Sequence, residues 1–140
     1  MKFLVKEIKS KAGELHFRRW RLLQLPFFAI YIHAIYKSDE DLHPHSHPWN
    51  FFSIILKGSY LERIAILYCG FWRGFTLNRK IFSVAYRKRK SYHKITVIDK
   101  PVYSLVFTFG KKGKWGYLVN DKFIDYQKYR DLKNELNKSN

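Results

Sequence analysis

The sequence predicts an all-β fold, and three observations carry the prediction. From residue 29 onward the chain is a series of short runs rich in β-branched and aromatic residues. Turn signals punctuate these runs at near-regular spacing. No helix-length segment separates one run from the next. Parallel α/β architectures are therefore disfavoured, and a sandwich or barrel is expected.

Residues 1–25 open with either a strand or a helical turn, and are read as an N-terminal arm. The strand runs follow at residues 29–36, 51–56, 60–68, 71–77, 80–86, 92–98, 102–109 and 115–119. Lys57-Gly58, Cys69-Gly70, Asn78, Asp99-Lys100-Pro101 and the Gly110 to Gly113 stretch separate them, each with a residue suited to positive φ or a proline. The run 80–86 alternates apolar and polar positions. Runs 51–56 and 104–109 are apolar almost throughout, which predicts burial on both faces. Residues 125–137 contain good helix formers, with Tyr126, Tyr129 and Leu132 or Leu136 spaced for one face, so a short terminal helix is expected. At 140 residues the chain is read as one domain: the arm, a barrel over 26–119 and a helical segment over 120–140.

Apolar residues make up 46% and aromatics 19%, enough for a packed core and against a disordered basic tail. A single cysteine, Cys69, removes any disulfide framework and favours a reducing compartment, so the cytoplasm is expected. No export signal is read at the N-terminus. The longest apolar stretch, residues 22–32, is well short of the ~20 residues that span a bilayer, so no membrane partner is expected. The net charge of +16 is localised: residues 63–114 hold thirteen basic residues and one acidic residue. Such a field attracts phosphates, nucleic acid or another anion, or simply solvates one face.

Half of the six histidines lie in Asp41-Leu42-His43-Pro44-His45-Ser46-His47-Pro48-Trp49. In an extended segment His45 and His47 point to the same side and can reach one ion, and His43 shares that parity. An all-imidazole set favours a transition metal, with iron, zinc, manganese and nickel as candidates. His93 is the candidate third ligand. The competing reading is a rigid polar turn of hydrogen-bonded rings. His16 and His33 are isolated and read as ordinary surface or core-edge residues.

The spacing His45-x-His47-x₃-Phe51-x₆-Gly58 resembles the first signature of the cupin superfamily, in which two histidines and a later Glu bind metal and Gly closes the following turn. Phe51 stands at the Glu position. The second cupin signature is matched only at His93, with Lys88 and Lys90 where Pro and Gly are expected. A closer resemblance, to small cupin-like proteins of phages and prophages, covers most of the chain. It runs through Lys37-Ser38-Asp39-Glu40-Asp41-Leu42, His45-Ser46-His47-Pro48-Trp49-Asn50-Phe51 and Ile55-Leu56-Lys57-Gly58-Ser59-Tyr60-Leu61-Glu62. It continues in Tyr92-His93-Lys94-Ile95, Ser104 to Gly110, Trp115-Gly116-Tyr117, Phe123 and Tyr129. The resemblance implies a cupin-type jelly-roll barrel and a tendency to form homodimers.

Glu62 shares the parity of Tyr60, which offers it an interior role as a fourth ligand or general base; the alternative is an exterior partner for a basic residue. Asp41 is a further candidate near the site. Trp49, Phe51, Tyr60, Tyr86 and Tyr117 are candidate walls of a cup, with Trp49, Tyr60, Arg87 and Arg89 expected to contact a ligand. Cys69 has no partner that would activate it as a nucleophile. Three functional classes follow. The first is a metal-dependent enzyme, a dioxygenase or isomerase of cupin type, acting on a small anionic molecule. The second is a non-catalytic binder of nucleotides or nucleotide sugars. The third is a nucleic-acid binder using the basic 63–94 segment, including Arg63, Arg73, Arg79 and Lys80.

Overall fold

The structure, a computed structural model, describes residues 4–10 and 12–138. The ends of the arm and of the helical segment, residues 1–3 and 139–140, lie outside the described residues, as does Lys11. The strands are β1 (Leu4–Lys9), β2 (Leu15–Gln24), β3 (Phe28–Ile35), β4 (His45–Ser46), β5 (Asn50–Tyr68), β6 (Phe71–Arg79), β7 (Val84–Arg87), β8 (Tyr92–Phe109), β9 (Gly116–Val119) and β10 (Lys122–Asp125). One helix, α1 (Tyr126–Lys138), follows. Every pairing between strands is antiparallel. Among the described residues no helix is long and apolar enough to cross a membrane.

The open choice over residues 1–25 resolves as strand, because β1 and β2 extend the sheet beyond β3. Two runs predicted on either side of Lys57-Gly58 are one strand, β5, and the two on either side of Asp99-Lys100-Pro101 are one strand, β8. Each long strand belongs to two sheets. The first half of β5 and the second half of β8 lie with β1, β2, β3 and β7. The second half of β5 and the first half of β8 lie with β6, β4, β9 and β10. The two layers face one another, as in a jelly roll.

The pair bends where its register shifts repeatedly between Ile55 and Tyr60. Gly58 has φ +78°, and a Cβ there would stand 2.5 Å from the Asp99 carbonyl oxygen. Its role is a bulge inside a strand rather than a turn between strands. The inserted residues reverse the side-chain parity: Phe51, Ser53 and Ile55 face inward before the bend, Tyr60, Glu62 and Ile64 after it. β8 reverses likewise, from His93 and Ile95 to Val102, Ser104 and Val106. The core sits at the bend, where Ile55, Tyr60 and Val102 pack with Ile35, Ile95 and Val97.

This parity corrects the expectation that runs 51–56 and 104–109 are buried on both faces. Phe52 and Leu56 are exposed, and Phe52, Tyr86 and Phe109 stack on one another outside the barrel. Tyr86 is thus no wall of the cup. The run 80–86 also shortens: Lys80 to Ser83 form a tight turn, with Phe82 at φ 62°, and only β7 is extended. The 69–70 break behaves as expected. Cys69 and Gly70 both have positive φ and form a two-residue hairpin loop between β5 and β6.

The two glycines make a controlled comparison. Gly70→Ala meets nothing within 4 Å and carries only the left-handed backbone penalty of roughly 1–2 kcal/mol. Gly58→Ala adds a collision with the Asp99 and Pro101 carbonyls, so its loss in denaturant-measured stability is expected to be clearly the larger; equal losses would remove Gly58 from the role described.

Candidate metal centre

The histidine segment is laid between two strands by its backbone. His45 pairs with His93 on one side and with Tyr117 on the other. The prolines lack N–H groups, but their carbonyls accept bonds: Pro44 from Leu118 N–H and Pro48 from Lys112 N–H. His45 and His47 then face the barrel interior beside His93, with ligating nitrogens of the three all within 4.8 Å of one another. The Nε2 atoms of His47 and His93 are 2.9 Å apart. Two nitrogens at about 2.1 Å from one ion and at right angles would be roughly 3.0 Å apart. His43 shares their parity but not their site, since its Nδ1 lies 3.0 Å from the Tyr129 hydroxyl on α1.

Burial holds the His45 and His47 imidazoles well below the usual histidine range, with the neighbouring histidines adding to the effect. Both are therefore neutral near pH 7, the state that ligates metal. His93 is oriented from behind: its Nδ1 donates to Glu62 Oε1 at 2.9 Å, which leaves the Nε2 lone pair facing His47. His47 stacks against both Trp49 and Trp115, with ring planes within 26° of parallel. The donor set, its protonation and its backing all fit a transition ion.

Glu62 is 1% exposed and sits behind the histidines, outside the cavity lining. Burial by itself would raise its carboxyl, but the His93 N–H and the Arg87 guanidinium more than offset this and hold it at about 2. Arg79 donates to Glu62 Oε2 at 3.2 Å and Arg87 at 2.6 Å. Both carboxylate oxygens are thus occupied, and Glu62 stands behind His93 rather than facing the cavity. Arg87, expected to contact a ligand, instead donates to Glu62 and lies outside the cavity lining. Arg89 also lies outside the cavity lining, and its main-chain N–H donates to Asn50 Oδ1. A charge run read from sequence cannot distinguish inward from outward arginines.

The cavity in front of the histidines has a volume of about 340 Å³. Trp49, Phe51, Tyr60 and Tyr117 line it, as the sequence suggested. Burial, and then the Glu62 charge, push the Tyr60 hydroxyl up to about 12, so it remains a phenol. Asp41 reaches the edge, accepting from Tyr117 Oη and Lys133 Nζ, both at 2.8 Å, which latches α1 beside the cavity. Asp39 accepts the Ile95 N–H and stands 3.8 Å from His45 Nδ1.

Several lining residues were not anticipated: Lys6, His16, Arg19 and His33. They come from β1 to β3, the region read as an arm or as isolated positions. The alternation Phe17-x-Arg19 on β2 is the signal that places Arg19 on an inner face.

No protein-family model matches the sequence, and no curated protein matches it either. Solved structures do share its fold. Hydroxypropylphosphonic acid epoxidase from S. wedmorenis superposes with a TM-score of 0.54 at 11% identity, over 75% of this chain and 55% of that one. An Fe(II) form of HppE gives 0.56 at 10% identity, over 78% and 56%. A variant of oxalate decarboxylase from Bacillus subtilis gives 0.57 at 14% identity, over 79% of this chain and 29% of the other. The chain spans little more than half the length of the epoxidase structures. At these identities the likeness is one of fold: the chain is an all-β, cupin-type jelly-roll barrel with a short C-terminal helix.

Breaking the buried ion cluster is expected to be costly. Arg79→Met removes a donor from a carboxylate that remains charged and buried, and a loss of about 3–5 kcal/mol in urea unfolding is expected. A loss under ~1 kcal/mol, the range of exposed pairs, would contradict this account of Glu62.

Proposed function

We propose that the chain is a metal-dependent protein of cupin type, holding a transition ion on His45, His47 and His93 and acting on a small anionic molecule in the adjoining cavity. The observation that carries the reading is the convergence of three interior histidines, one of them braced by a buried carboxylate. When bound, the ion supplies a Lewis-acid centre with positions left open for substrate. Three neutral ligands leave its positive charge undiminished, which favours an anionic partner.

The protein's own groups have separable tasks. Glu62 fixes the His93 tautomer and ring plane. Trp49 and Trp115 hold His47 between aromatic faces. Phe51, Ile95 and Val106 give the cavity an apolar wall that limits water. Iron and cobalt forms of HppE support a first-row transition ion.

The other functional classes draw less support. A cavity of about 340 Å³ is near the lower end of the range for ligand pockets, which favours a compact molecule over a nucleotide sugar. The nucleic-acid reading loses Arg79 and Arg87, both committed to Glu62.

Metal analysis tests the proposal. The purified protein is expected to bind about one transition ion per chain. His45→Ala combined with His47→Ala should abolish binding, and Glu62→Gln should weaken it about 10–100-fold in protein that is less stable but still shown to be folded by circular dichroism. A wild-type protein with no affinity for iron, zinc, manganese or nickel would overturn the reading.

A further inference from the structure

The part of the cavity lining supplied by β1 to β3 carries two cations without a carboxylate partner among the described residues. Lys6 on β1 pairs with Arg19 on β2, and Arg19 pairs with His33 on β3, so the three form one cross-strand row. All three line the cavity. Among the described residues no carboxylate lies within ion-pair distance of Lys6 or Arg19. The cavity carboxylates are engaged elsewhere: Asp39 accepts the Ile95 N–H, Asp41 holds Tyr117 and Lys133, and Glu40 lies 3.4 Å from His16.

The hydrogen-bond inventory points the same way. Arg19 donates through Nε to His33 Nε2 at 3.0 Å, which holds the guanidinium in place. That uses one of its five N–H groups, and the terminal fork has no acceptor among the described residues. The guanidinium lies 5.1 Å from the Tyr31 ring centroid and 6.0 Å from that of Trp49. His33 accepts this bond because burial, reinforced by the Arg19 and Lys6 charges, keeps it neutral. Lys6 Nζ lies 5.1 Å from the Trp115 ring centroid. The Nε1–H of Trp115 is withdrawn from solvent and has no acceptor among the described residues. A free guanidinium fork and an unpaired ammonium on one cross-strand row together match an oxyanion.

We infer that Lys6 and Arg19 form an oxyanion subsite that holds the terminal carboxylate or phosphoryl group of a compact ligand, with the ligand's other end directed to the three histidines. His33 is the positioning residue that aims Arg19. The inference rests on the metal-centre reading for the ligand's far end only; the oxyanion end depends on residues of the opposite sheet. It also gives the unpaired cations a role: bringing Lys6 and Arg19 together inside the barrel is unfavourable until an anion arrives.

Titrations of metal-free and metal-loaded protein with inorganic phosphate and with acetate test this. In the wild type the Trp115 indole N–H resonance, assigned by its loss in Trp115→Phe, is expected to move on addition of one of the two anions even without metal. The anion that binds more tightly identifies the head group. Lys6→Met and Arg19→Gln should each weaken that binding at least about tenfold, the loss expected of a charge-assisted contact, while leaving metal affinity within about threefold. Arg19→Lys, which keeps the charge but not the fork, should fall between them. An indole resonance unmoved by either anion at millimolar concentration would overturn the subsite, as would unchanged affinities in both variants. Loss of metal binding alone, with anion binding intact, would count against the metal centre and leave the subsite standing.

Discussion

A carboxylate removed from water must be surrounded by donors, and Glu62 obtains them from both layers of the barrel. Arg79 reaches it from β6 in one sheet, Arg87 from β7 in the other, and His93 from β8. Arg79 also donates to the Ser53 backbone and hydroxyl and to Ser83, so one guanidinium stitches both layers and the turn before β7. Moving any of these strands out of register would leave a buried charge without a partner. The histidine that faces the cavity is therefore placed by the same cluster that joins the sheets.

That arrangement depends on parity. Glu62 faces inward only because the strand that starts with Phe51 inward has been reset at Gly58, and His93 faces inward for the corresponding reason on β8. A β-strand without the bulge would carry odd positions inward along its whole length, exposing Glu62 and burying Arg63. The bend thus does two jobs: it passes a pair of strands from one layer to the other, and it brings the carboxylate behind the histidine.

Much of this was legible in the sequence. Local periodicity located the strand runs from residue 29, the 69–70 hairpin and the terminal helix, because those depend on neighbouring residues alone. The histidine spacing and the Tyr60–Glu62 parity pointed to the histidine cluster and to the inward carboxylate. What escaped reading depends on distant partners. The prolines and glycine that look like turns became bends within long strands, since only pairing across 40 or so residues shows that β5 and β8 run side by side throughout. Arg87 read as a ligand contact because its partner, Glu62, is remote in sequence. Arg19 and His33 were passed over for a related reason: Arg19 is one of several arginines in a basic run and His33 lies in an apolar one, and the partners that single them out lie across the sheet.

The two layers meet over the cavity with different equipment, histidines on one and the Lys6–Arg19–His33 row on the other. They share only β5 and β8, and neither of those strands carries Lys6, Arg19 or His33. Substitutions along β1 and β2 can accordingly change the chemistry of that part of the cavity lining without touching the strands that aim the histidines. In evolutionary terms the histidine cluster and the basic row are separately editable, and an edge hairpin can be rewritten while the cluster stays as it is.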